Sequence, residues 1–135
     1  MVESLWSIPA ADNVRAPLMI MKEQAAALTK QTKGSLVGSV EPVAYGNGLV
    51  INLSVEVPAL NNYRYHVMTY EQPITMYPGT LASQVPAPSG TGLYIRPKAI
   101  KVNNEEEFLV ALKALLASDE VKRLVSSLLV QANAA

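Results

Sequence analysis

One side chain in this sequence has an ordinary proton equilibrium near neutral pH: His66, the single histidine among 135 residues. As a general base it would need a group to orient it and a cleft to hold a substrate. Glu56 and Glu71 are the carboxylates in neighbouring strand-like segments that could orient it. Nothing in the run from Tyr63 to Glu71 demands catalysis, however. A solvent-facing or hydrogen-bonded strand histidine is the simpler expectation.

A second chemistry is suggested by Tyr63, Tyr65, Tyr70, Tyr77 and Tyr94, together with Arg64 and Arg96. Aromatic rings interspersed with arginine on a sheet can stack bases or sugars. The same residues could line a small-molecule pocket between sheet and helices. Tyrosine is also favoured in strands for its shape alone, with a hydroxyl that reaches water at the sheet margin. Eleven basic residues balance eleven acidic ones. A neutral chain lacks the field that draws proteins to phosphate backbones, so nucleic acid is not an expected partner.

Several chemistries lack their residues. There is no cysteine, which removes disulfides, thiolate nucleophiles and cysteine-ligated zinc. Glu105-Glu106-Glu107 is the one acidic run. Adjacent helical residues point about 100° apart and converge poorly on one ion, while carboxylates at a helix start complement its dipole. Helix initiation is therefore the expected role, and no metal site or cofactor is predicted. Gly46-Asn47-Gly48 lacks the following lysine and helix of a phosphate loop. No nucleophile-elbow, zinc-protease or dinucleotide-binding motif occurs.

The elements that must position these residues read as a single α+β domain over 1–135, with an N-terminal helix, an antiparallel meander of three to five strands and two C-terminal helices packed on the sheet. Residues 1–16 form an irregular arm carrying Trp6, the only tryptophan. Such a ring is expected to pack on its own core, or to dock with Leu5 and Ile8 onto a second subunit. Pro17 suits the first turn of a helix over 17–33, with Leu18, Met21, Ala25 and Leu28 on its apolar face and Gly34 as its stop.

Strands are predicted at 36–45, 49–57 and 63–71. Pro42 gives the first an edge position or a bulge, and Gly46-Asn47-Gly48 forms a hairpin turn. In the second strand Leu49, Ile51, Leu53, Val55 and Val57 alternate with Asn52, Ser54 and Glu56, the pattern of one buried face. Strict alternation in the third puts Arg64, His66, Met68 and Tyr70 on one face, with Tyr63, Tyr65 and Val67 on the other. Residues 72–98 are Pro/Gly-rich and irregular, with 74–77 and 93–96 as possible fourth and fifth strands; a loop of that length is a mobile excursion or a binding loop.

Asn104 and Glu107 fit a capping box ahead of the stripe Phe108, Ala111, Leu112, Leu115 and Leu116. Ser118 with Asp119 and Glu120 starts a second helix or a kinked continuation, whose stripe is Val121, Leu124, Val125, Leu128 and Leu129.

Half of the residues are apolar and only 16% are charged, below the usual quarter or so. So greasy a surface suggests cover by another subunit, as does an outer sheet face carrying Val50, Met68 and Tyr70. The expectation is a non-enzymatic interaction or adaptor module, self-associating as a homodimer, with Trp6, the tyrosine strand and 72–98 as contact surfaces and a protein partner possible. The alternatives are a small-molecule binder with a Tyr/Arg-lined pocket, or a small enzyme using His66 and a carboxylate. The first residues lack the basic and apolar regions of a secretory signal, and no apolar run approaches a membrane span, so a cytoplasmic location is expected.

Overall fold

The computed structural model describes residues 4–7, 15–85 and 99–135. Helix α1 (Pro17–Gln31) precedes strands β1 (Val37–Tyr45), β2 (Gly48–Val57), β3 (Tyr63–Pro73), β4 (Gly79–Ser83) and β5 (Ala99–Val102), and helices α2 (Glu105–Leu116) and α3 (Asp119–Ala134) close the chain. The strands form one antiparallel sheet in the order β1-β2-β3-β4-β5. The fold is α+β, with both C-terminal helices on the sheet as expected.

Local chemistry explains most boundaries. Gly46 has a positive φ of 55° and Asn47 does not, as the two-residue type II′ hairpin between β1 and β2 requires. Asn61 and Asn62, with φ of 57° and 60°, turn the chain into β3; asparagine tolerates the left-handed region better than most residues. At α2, Asn104 Oδ1 accepts the Glu107 N–H at 2.8 Å. The returning Glu107 carboxylate accepts from the Asn103 N–H at 2.9 Å, one residue earlier than a standard capping box. Ser118 caps α3 through the Val121 N–H, so α3 is a separate helix.

Two strand assignments shift. Residues 74–77 form a turn, with Met76 N–H donating to Pro73 O at 2.9 Å, and the fourth strand begins at Gly79. The fifth is Ala99–Val102; residues 93–96, where it was expected, lie outside the described residues. Neither real strand announces itself, being four or five residues long with one fully buried aliphatic each, Leu81 and Val102.

The larger correction concerns β3. Leu53 pairs with Met68, but Ser54 pairs with His66, leaving Val67 as an extra residue in a β-bulge. The bulge resets the alternation. Arg64 and His66 face away from the helices, whereas Met68 and Tyr70 are fully buried beneath them. The helix-free face therefore carries Val43, Val50, Asn52, Glu56, Arg64, His66, Thr69 and Glu71; of the apolar residues expected there Val50 remains, while Met68 and Tyr70 belong to the core.

Helix α1 lies along β1 so closely that a Cβ on Gly38 would stand 2.6 Å from Ala25 Cα. The Gly38 N–H donates to Thr29 Oγ1 at 2.9 Å, so the helix takes up part of the open edge of the sheet. Counting outward from the hairpin pair Tyr45–Gly48, Pro42 falls where its nitrogen faces that edge, removing a second donor. Helix α2 packs over β4 and β5, and α3 returns toward the short 3-10 turn at Pro58–Leu60. At the centre, Tyr70 meets Phe108 edge to face, with ring centroids 4.8 Å apart.

Candidate functional site

The stripes of α1 and α3 are not fully consumed by this packing. Leu28, Val125 and Leu129 stay only partly buried. Between them lies a cleft of about 520 Å³, within the range of roughly 300–1,000 Å³ that holds small organic ligands. Its floor is Leu53 and Val55 of β2 and Val67 of β3. One wall is Ala25, Ala27 and Leu28 of α1; the other is Val121, Val125 and Leu129 of α3, with Leu116 at one end.

The alanines leave space on the α1 side that longer side chains would fill. Gln24 and Gln31 border the cleft from α1, and Lys122, Ser126 and Asn133 border it from α3. Its chemistry is an apolar trough with uncharged polar groups and one cation on the rim. Among the described residues, no carboxylate lines it.

A shallower depression of about 340 Å³ lies at the tip of the sheet, between Tyr45 and Asn47 of the hairpin and Pro78 to Thr80. Gln72 borders it; its side-chain oxygen is buried without a hydrogen-bond partner among the described residues.

Among the described residues, none of the sequence-derived candidates lines the α1–α3 cleft. Trp6 and Leu5 are 84% and 95% exposed, so the tryptophan does not pack on its own core. Arg64 is held on the outer face by Glu56, its Nε donating at 3.0 Å, with Glu41 at 3.9 Å. Tyr63 is about half exposed at the end of the sheet, and Tyr65 is partly buried against the core. Burial, and secondarily Tyr63, raises the Tyr65 hydroxyl above its ordinary pKa.

Tyr70 is fully buried and donates to Met76 O at 2.8 Å. Burial, reinforced by Tyr77, pushes its hydroxyl strongly upward. Tyr77, whose ring centroid is 6.4 Å from that of Tyr70, is raised by burial and then by Glu105. Its hydroxyl has no hydrogen-bond partner among the described residues. Tyr94 and Arg96 lie outside the described residues. The tyrosines thus divide between sheet margin and core and share no pocket wall.

His66 sits on the open face, bonded within its own strand. Its Nε2 lies 3.1 Å from Met68 O and 2.8 Å from Thr69 Oγ1, which donates onward to Asn52 Oδ1 at 3.0 Å. The side chain opposite His66 is Ser54, Glu56 is engaged by Arg64, and Thr69 stands between His66 and Glu71. Neither carboxylate orients the ring, and neither cavity includes it.

Among the described residues, no group of three or more His, Cys, Asp or Glu could hold a metal ion, and no helix is long and apolar enough to cross a membrane. No family model, curated protein or solved structure matches the chain.

Proposed function

We propose that the chain is a non-catalytic binding module that takes a small, predominantly apolar molecule in the cleft between α1 and α3. The observation that carries this reading is the cleft itself. Helices α1 and α3 leave a solvent-open groove of about 520 Å³ over Leu53, Val55 and Val67, whose side chains are nearly fully buried beneath it. A void bordered by aliphatic groups loses contacts on every wall, and an apolar ligand restores them.

Titration with uncharged n-alkanols tests it, read by native mass spectrometry and calorimetry on the full chain. The expected result is one equivalent bound, tightening by up to about fourfold per added methylene until the cleft is full. Val125→Trp, which fills the cleft from α3, should abolish binding while the chain stays folded. Absence of saturable binding, or equal binding by the filled variant, would overturn the reading.

A second reading is favoured by a separate observation, the side-by-side exposure of Leu5 and Trp6. Two large apolar side chains held in water suit an arm that docks onto a second copy of the chain, making the module self-associating.

A further inference from the structure

Resting on that reading of the cleft, we propose that its ligand is an apolar chain ending in a carboxylate, with Lys122 as the cationic anchor for the head group. Among the described residues, Lys122 is the one charged residue on the cleft border. It makes no ion pair among the described residues, whose salt bridges join Arg15 to Glu23 and Arg64 to Glu41 and Glu56. Among the described residues, no competing carboxylate borders the trough.

The placement on α3 gives the anchor a direction. Ser126 follows Lys122 by four residues, about 6 Å along the same helix face. An ammonium and a hydroxyl therefore stand one turn apart on the rim, both able to donate to the two oxygens of one carboxylate. Val125 and Leu129 continue along the wall beside them, so a head group at Lys122 leaves its tail running over the aliphatic floor. A neutral molecule would fill the trough equally well but leave the ammonium unused. A cationic amphiphile would meet like charge at the rim.

Calorimetric titration of the full chain with dodecanoate, dodecanol and dodecyltrimethylammonium, each below its aggregation concentration, separates the possibilities. The expected result is one-to-one binding of dodecanoate, about tenfold or more tighter than dodecanol, with the cationic probe weakest. Lys122→Met should bring dodecanoate down to the level of dodecanol, both measured on that variant; Lys122→Arg should retain the preference.

Equal binding of acid and alcohol by the native chain, or a preference that survives Lys122→Met, would overturn the carboxylate assignment while leaving an apolar site in place. Failure of all three probes to bind would overturn both the assignment and the binding-module reading. Because Lys122 is exposed, the thermal midpoint of each variant should stay near that of the native chain, confirming that folded protein is compared.

Discussion

Met68 stands opposite Leu53 in the ladder between β2 and β3, and both side chains are buried beneath the helices. That pairing exists because Val67 is an extra residue, accommodated without a partner in β2. Deleting Val67 should therefore regularise the strand rather than shift it. His66 would remain opposite Ser54, and Met68 opposite Leu53. The expected cost is the lost burial of one valine, about 1.5–3 kcal/mol, read from urea denaturation. A deletion variant that fails to fold, or that exposes Tyr70 to solvent-borne quenchers, would show that the bulge itself is required.

Alkaline pH should destabilise the fold through Tyr70. Its hydroxyl is raised by burial, so the folded state holds its proton where the unfolded chain releases it. The contribution is fully present below the unfolded pKa of about 10 and is lost progressively as pH rises toward the folded value. This single group should steepen the fall in stability by about 1.4 kcal/mol per pH unit above pH 10. Tyr70→Phe removes that component at a cost of about 1 kcal/mol near neutrality, from the lost bond to Met76 O. Spectrophotometric titration showing Tyr70 ionising near the ordinary tyrosine value of about 10 would contradict it.

Gly38→Ala probes the contact between α1 and the sheet. The added methyl would run into Ala25 backbone, which cannot swing aside as a flexible side chain can. The helix must move, at a net cost of about 1–3 kcal/mol, measured as a lower denaturation midpoint. Because Ala25 also lines the cleft, alkanol affinity should change in the same variant. An unchanged midpoint would mean that α1 rides higher over β1 than described.

What was legible in the sequence was what local chemistry decides. The hairpin at Gly46, the caps at Asn104 and Ser118 and the buried face of β2 each follow from a few neighbouring residues. The bulge left a faint trace, two consecutive apolar residues at Val67-Met68, but a half-buried strand tolerates such a pair and strict alternation overrode it. That slip moved Met68 and Tyr70 to the wrong face and made the outer face read as more apolar than it is. The cleft had no motif at all. It is assembled from elements distant in the chain, α1, β2, β3 and α3, and its nearest signal was alanine at 25 and 27, which reads equally well as helix propensity.

His66→Ala should alter neither stability nor ligand binding. The ring is exposed and its bonds are confined to β3, so the expected change is within about 0.5 kcal/mol. Denaturation and alkanol titration on the same sample measure both. A loss of binding with the fold intact would place the ligand on the open face of the sheet and displace the cleft as the site.

Trp6→Ala decides whether the arm joins two copies. With the ring 84% exposed, its removal should leave the stability of an isolated chain unchanged. If the arm docks on a second copy, the ring becomes a buried anchor there, and truncation should weaken association by about 2 kcal/mol or more. Sedimentation equilibrium across a range of concentrations reads that constant directly. A native chain that remains monomeric throughout would sink the self-association reading. A dimer whose constant ignores the substitution would move the interface elsewhere, and the exposed Tyr45 and Val43 at the end of β1 would be the next residues to change.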